Sequence, residues 1–365
     1  MIDKSGKIFV AGHLGLVGSA IWRNLSGKGY TNLVGCSRSE LDLLDAVAVK
    51  NYFDKIEPDY VILAAAHVGG IQANNKYRAD FIWNNLQIQQ NVIRECYTHK
   101  VKKLLFLGST CVYPRQAPQP MVEEALLTSP LEYTNEPYAI AKIAGLKICE
   151  SFNIQYGTNF IAVMPTNLYG PNDNFDLERS HVLPAIMRKI HLSKCLANGN
   201  WQSVRLDLAA RPVEGIEVSS SESTILGVLE KYGIRADSVT LWGTGVPLRE
   251  FLWSNDMADA CVHIMERVNF SDLKAYAESH GAPRGEIRNC HINIGTGKEL
   301  SIATLASKIA REAGFKGEIL FDPSKPDGTM RKLTDPGKLN ALGWSYKVDI
   351  DQGIHRLYEW YLDNQ

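Results

Sequence analysis

The chain has 365 residues, with 39 Lys and Arg against 40 Asp and Glu and a net charge of -1. That length accommodates two domains, and the balanced charge removes the general electrostatic case for nucleic acid or an anionic membrane surface. Seven cysteines are scattered singly with no C-x-x-C pair, which argues against a disulfide framework and for a reduced, cytoplasmic protein.

The first apolar run, up to Val10, is too short for a signal peptide, and no stretch approaches the roughly 20 apolar residues of a membrane span. Lys7–Ala11 reads as a buried strand, followed by a glycine loop and a helical run to about Leu25. Leu33–Cys36 is a second strand, Ala46–Ile56 a helix that stops before Pro58, and Tyr60–Ala65 a third strand. Trp83–His99 has helical spacing, Lys103–Leu107 is a fourth strand, Tyr138–Tyr156 a long helix and Phe160–Met164 a fifth strand. Apolar strands alternating with helices predict an α/β fold, a doubly wound parallel sheet of Rossmann type. Cys36, Cys96, Cys149 and Cys261 fall in apolar patterns and read as small core residues.

After Pro165 the pattern changes. Pro184 to about Leu196 looks helical, and Asn198 to about Arg235 is polar, with a low-complexity patch at Ser219–Ser223. Val239–Trp242 is a strand and Asn255–Val268 a helix. Ser271–Arg288 reads as a second surface insertion and His291–Gly295 as a strand. Ser301 caps a helix that Gly314 closes. The expected layout is a cofactor domain over 1–165, with about 250–270 returning to it, and a smaller C-terminal substrate domain over 166–365. The latter carries an insert at about 197–236, to which the sequence assigns no function. The site is expected between the two.

Gly12-x-x-Gly15-x-x-Gly18, with His13, Leu14, Leu16 and Val17 between, follows a strand and opens a helix. In that setting the glycines allow backbone to approach a pyrophosphate, and the helix N-terminus supplies amide donors. The position for a ribose-reading side chain carries Arg38, twenty residues after Gly18 and flanked by Ser37 and Ser39. An arginine and two serines suit a 2′-phosphate and favour NADP(H), while Glu40 keeps NAD open.

Ser109-Thr110-Cys111-Val112-Tyr113-Pro114 stands just beyond the fourth strand, and Tyr138 and Lys142 follow on one helix face. A nearby ammonium favours phenolate, which makes Tyr138 a better proton donor to an alkoxide. A carbonyl reductase needs the hydroxyl, phenol and ammonium. It does not need the thiol, which points to a second reaction.

These motifs resemble the extended short-chain dehydrogenase/reductase family. Gly12–Ile21, Ser109–Pro114, Pro165–Pro171, Ser180–Ala185, Trp242–Gly245, Arg249–Phe251 and Lys325–Lys332 together resemble the GDP-L-fucose synthase family, from about residue 7 to about residue 362. The resemblance implies epimerisation of GDP-4-keto-6-deoxy-D-mannose at C3 and C5, then reduction at C4 with NADPH to GDP-L-fucose; the rival is a C4 reductase, with or without epimerisation, of a related GDP-6-deoxy-4-keto sugar. It implies that Cys111 and His181 exchange protons on the ring, and that Ser109 and Tyr138 hold the C4 oxygen. Lys142 would hold the nicotinamide ribose. It extends the cofactor set to Leu107, Gly108, Pro165, Thr166, Asn167, Leu168 and His181. It assigns Lys189, Trp242, Arg249 and Lys332 to the GDP-sugar. Asp327 is left between a substrate contact and a turn in Pro326-Asp327-Gly328. No metal is implied, and a homodimer through the helices at about 83–99 and 138–156 is. The sequence departs from the family in having Thr110 where a second serine is common and in its longer insert, so hexose and heptose substrates both stay open. A non-catalytic NADP-binding protein is the reading from outside enzymology.

Overall fold

A computed structural model describes residues 2–365 apart from Arg284 and Pro326. The chain divides into two compact units: 1–168, 254–297 and 333–347 make the first, and 169–253, 298–332 and 348–365 the second. The returning segment, 254–297, is longer than the expected 250–270, and a further piece at 333–347 joins it. Periodicity reports each element's local state but not the sheet it joins, which is why these crossings were not legible.

The first unit is built on a six-stranded sheet. Its order is Leu33–Val34, Ile8–Ala11, Tyr60–Leu63, Lys103–Leu107, Phe160–Pro165 and Ile292–Ile294. All neighbours are parallel. Ile8–Ala11, Tyr60–Leu63, Lys103–Leu107 and Phe160–Pro165 are buried at every position, as strands covered on both faces must be. Phe9, Phe53, Phe106 and Phe160 anchor the core. The chain leaves Ile8–Ala11 for an edge strand on one side and then crosses to Tyr60–Leu63 on the other. That reversal opens a crevice at the strands' carboxyl ends, where ligands bind in such sheets.

The helix over Glu136–Tyr156 starts two residues before the expected Tyr138. Pro137 fits its first turn, and Gly157 ends it at φ 67°. It packs against Arg78–Thr98. Lys103 is buried beneath the sheet, and its ammonium donates to the carbonyls of Ile264, Met265 and Val268 at the end of Ser254–Arg267.

In the second unit Ser238–Trp242 pairs parallel with Glu318–Asp322, and Leu248–Trp253 pairs antiparallel with Glu299–Ser301. Ser301 caps Ile302–Ala313 by accepting from Thr304 N, and Gly314 closes it at φ 70°. The polar insert is folded: Trp201–Ala210 and Glu222–Lys231 are helices around Val204, Leu208, Ile225 and Leu229. The second surface insertion contains a helix too, Phe270–Ser279, in the first unit. No helix among the described residues is long and apolar enough to cross a membrane.

Candidate active site

The glycine loop follows Ile8–Ala11, and the helix Leu16–Gly27 begins at Gly15 with no side chain capping its amides. Gly12 has φ 85°, a conformation that favours glycine. A Cβ on Gly18 would stand 2.1 Å from the carbonyl oxygen of Gly12, so only glycine lets the helix start so close to the strand. This tight loop with open amide donors fits a dinucleotide pyrophosphate. Leu14 is exposed, whereas His13 packs on Trp22 with ring centroids 5.3 Å apart and lies against Gly35.

Arg38 is exposed on the loop after the second strand. Glu40 is turned away from a ribose-reading role: its carboxylate accepts from Ser37 N at 2.8 Å and from Ser37 Oγ at 2.7 Å. Those bonds hold its pKa below the usual carboxylate range. The guanidinium is exposed on the same loop as Ser37 and Ser39. Arg38→Ala is expected to weaken NADPH about tenfold or more and to leave NADH nearly unchanged, as measured by fluorescence titration of both. Equal losses would remove the 2′-phosphate argument.

Lys103–Leu107 ends at Gly108, where an added Cβ would collide with Met164. Thr110–Val112 is a single 3-10 turn, and Ser109 Oγ accepts from Cys111 N at 3.2 Å. Tyr113 closes the turn and plunges inward. Its hydroxyl donates to Asn293 Oδ1 and meets His291 Nε2 at 3.0 Å, which ties the turn to the sheet. Cys111 is half-buried, and Asn135 Nδ2 donates to its Sγ at 3.4 Å.

Tyr138 sits in the first turn of Glu136–Tyr156, its ring edge-on to Phe81 at 6.4 Å. Lys142, one turn on, is buried. Its Nζ lies 5.8 Å from the Tyr138 ring centroid and donates to Leu107 O at 2.8 Å. The electrostatics differ from the sequence expectation that the ammonium would favour phenolate. Burial raises the pKa of Tyr138, with charge on Cys111 adding to it, and burial lowers Lys142 to about 7. Desolvation penalises both charged forms, and it outweighs an ammonium that faces the ring and a carbonyl. Tyr138 therefore holds its proton, as a general acid must. Pro165 ends the fifth strand, Thr166 N donates to Ile294 O at 3.0 Å, and Asn167 and Leu168 complete this unit's share of the predicted cofactor set.

The remaining predicted residues belong to the second unit. His181 is the N-cap residue of Val182–Ala197. The residue is exposed, yet desolvation by the packing around it lowers its pKa, and the Lys332 charge adds to that. Lys189 is buried on the same helix; burial lowers it to about 8, and Nζ donates to Thr240 O at 3.4 Å. Trp242 is 54% exposed, with Lys325 Nζ 5.9 Å from its ring centroid. Asp327 accepts from Thr244 N at 2.9 Å and Thr244 Oγ1 at 2.7 Å, while Pro326 lies outside the described residues. Arg249 lies on Leu248–Trp253 and donates to Leu248 O at 2.7 Å. Among the described residues no group of three metal-ligating side chains occurs.

Sequence reasoning missed Asn135, which touches the thiol, and the His291–Asn293 anchor of Tyr113. Asn135 lies three residues before Tyr138, a spacing that could have drawn notice. The anchor is more than 170 residues from its tyrosine and left no local signal.

The profile of the NAD dependent epimerase/dehydratase family matches residues 8–207 and 218–276. GDP-L-fucose synthase 1 of Arabidopsis thaliana is 50% identical over 364 residues, covering 100% of this chain and 95% of the relative. GDP-L-fucose synthase of Escherichia coli is 45% identical, covering 98% and 97%. Among solved structures, a GDP-D-glycero-L-gluco-heptose synthase from Campylobacter jejuni in the presence of NADPH is 41% identical. It superimposes with a TM-score of 0.90 and covers 99% of this chain and 100% of that one. With a profile across most of its length and near-full-length relatives at this identity, the chain belongs to the NAD dependent epimerase/dehydratase family and, within it, to the GDP-L-fucose synthase family.

Proposed function

We propose that this protein converts GDP-4-keto-6-deoxy-D-mannose to GDP-L-fucose, by epimerising C3 and C5 and then reducing C4 with NADPH. The observation that carries this reading is a thiol, Cys111, in the same turn as Ser109 and beside a proton-bearing Tyr138. Reduction alone uses Ser109, Tyr138 and Lys142. A thiol in that place adds an acid–base group next to the carbonyl. The names of the relatives at 45% and 50% identity agree with it.

The loop amides from Gly12 to Gly18 would hold the cofactor pyrophosphate, Arg38 the 2′-phosphate, and Lys142 the nicotinamide ribose. When bound, the cofactor supplies the hydride that reaches C4. A C4 ketone acidifies the hydrogens on C3 and C5. One of the pair Cys111 and His181 takes such a proton, and the electrons move to the C4 oxygen, where Ser109 and Tyr138 donate hydrogen bonds. The other returns a proton to the opposite face, which inverts the carbon. Tyr138 finally gives its proton to the C4 oxygen. Lys189, Arg249 and Lys332 would neutralise the diphosphate, with Trp242 against the nucleotide.

The test is turnover with NADPH in deuterated water, read by NMR. Deuterium at C3 and C5 of GDP-L-fucose is the expected result; reduction without it would make the protein a C4 reductase. Cys111→Ser should block deuterium incorporation and leave some direct C4 reduction. Unchanged product stereochemistry would reject the thiol's role. A second reading, a GDP-heptose substrate, is favoured by the Campylobacter jejuni relative and by the folded insert at 201–231. The same assay with a 4-keto heptose nucleotide separates the two.

We also propose a homodimer through Arg78–Thr98 and Glu136–Tyr156. Trp83, Ile140, Ile154 and Tyr156 on those helices are exposed, which supports it. The seven cysteines carry no disulfide, in keeping with a cytoplasmic setting.

A further inference from the structure

We propose that Asn135 is a further catalytic residue of the epimerisation: its side-chain amide holds the Cys111 sulfur and meets the negative charge left there when the sulfur's proton is on the sugar. The proposal rests on the role given above to Cys111 and concerns the same site.

Asn135 occupies the N-cap position of Glu136–Tyr156, and its carbonyl accepts the first helical bond, from Ala139 N at 2.9 Å. An asparagine there ordinarily turns its side-chain oxygen onto the amides of the first turn. This one does not. No side-chain capping bond forms, Nδ2 is directed at Cys111 Sγ at 3.4 Å, and Oδ1 is buried without a hydrogen-bond partner. Giving up the cap and burying an unpaired oxygen both cost stability, so the placement calls for a reason outside folding. Turned over, the amide oxygen could accept the thiol's S–H but would face the sulfur's lone pairs once that proton is gone. The orientation present is the one that suits an anionic sulfur.

The surroundings hold the main chain of this turn in place. Glu132 Oε2 accepts from Asn135 N at 3.2 Å and from Thr134 N at 3.1 Å. Arg78 donates to Tyr133 O at 2.8 Å and lies 4.4 Å over the Tyr133 ring. On the other side, Ser109 holds the main chain of Cys111. Asn135 therefore couples the thiol to the helix that carries Tyr138 and Lys142.

In the half of the exchange in which the thiol is the donor, the S–H bond breaks, a C–H bond forms on the ring and the electron pair stays on sulfur, while the proton removed from that carbon goes to the other group of the proposed pair. A neutral N–H donor strengthens as the sulfur becomes anionic, and it brings no charge that would hold the sulfur ionised in every state. The unpaired Oδ1 is an acceptor that a sugar hydroxyl could fill.

The test uses Asn135→Asp, which keeps the size and sets an oxygen against the sulfur, and Asn135→Ser, a good cap too short to reach it. In deuterated water both should lower deuterium at C3 and C5 about tenfold, with non-epimerised C4 alcohol accumulating and NADPH affinity unchanged. A merely structural role would lower both products together. Without any sugar, alkylation of Cys111 by iodoacetamide at one fixed pH, read on its peptide by mass spectrometry, should slow about tenfold in Asn135→Asp. Wild-type alkylation rates or a wild-type product split in both variants would overturn the proposal. Absence of turnover by the unaltered enzyme, with alkylation slowed in the variant, would instead sink only the choice of sugar.

Discussion

Tyr138→Phe is expected to lower the rate of NADPH oxidation by roughly 10² to 10⁴ while leaving the fold and NADPH binding in place. The substitution removes one oxygen. The ring keeps its edge contact with Phe81, and Lys142 keeps its bond to Leu107 O, so packing changes little. What disappears is the proton. Burial raises the pKa of this phenol, so it stays protonated across the working pH range, ready for the oxygen at which hydride transfer generates an alkoxide. Without it that alkoxide forms in a desolvated place with no donor but Ser109. Deuterium exchange at C3 and C5 should slow less than C4 reduction, because Cys111 and His181 remain. Single-turnover NADPH absorbance with parallel NMR measures both, and full turnover would reject Tyr138 as the acid.

The largest effect on stability is expected from Asp207→Ala in the second unit. Arg188 and Asp207 have no exposed side-chain surface, and Arg188 NH2 meets Asp207 Oδ1 at 2.9 Å. Arg188 also donates to the carbonyls of Phe175 and Arg211, and the Tyr361 hydroxyl donates to Asp207 Oδ2. Arg211 stacks on Tyr361 at 4.4 Å. One pair thus joins Val182–Ala197, the insert helix Trp201–Ala210 and the last helix, Ile350–Asp363. Removing the carboxylate leaves a guanidinium that cannot lose its charge in an interior that cannot solvate it, at a cost of about 3–5 kcal/mol. A fall of roughly 10 °C in the midpoint of thermal unfolding is expected by circular dichroism. Lys50→Ala, at the exposed pair with Asp54, should change the midpoint little. An Arg188→Met/Asp207→Leu double variant should recover part of the loss, since the fully buried guanidinium is then gone, while the mostly buried Arg211 still loses its contact with the carboxylate. A melting point unchanged by Asp207→Ala would show that the pair does not hold the insert.

Much of the first unit was legible because its signals are local. A fully apolar run such as Leu104–Phe106 states that both faces of a strand are covered. Three glycines at the start of a helix state that backbone must come close, and a Tyr and Lys four apart share a face. Ser301 and Gly314 marked their helix because caps are read from neighbouring residues. The insert was less legible. Its helices are short, ten residues each, and Ser219–Ser223 disguised the Ser221 cap of Glu222–Lys231.

The sequence by itself determined the α/β alternation, the cofactor loop, and the set of groups that can do the chemistry, since these depend on residue type and short spacing. Only the tertiary structure decided which distant segments rejoin the first unit, that Tyr113 is held by His291 and Asn293, that Asp327 holds Thr244, and that Asn135 faces the thiol. It also reversed the expected charge balance at Tyr138 and Lys142. Hydrogen bonds across long separations and the depth of burial depend on how elements pack, and desolvation outweighs a neighbouring charge only where packing has removed the water.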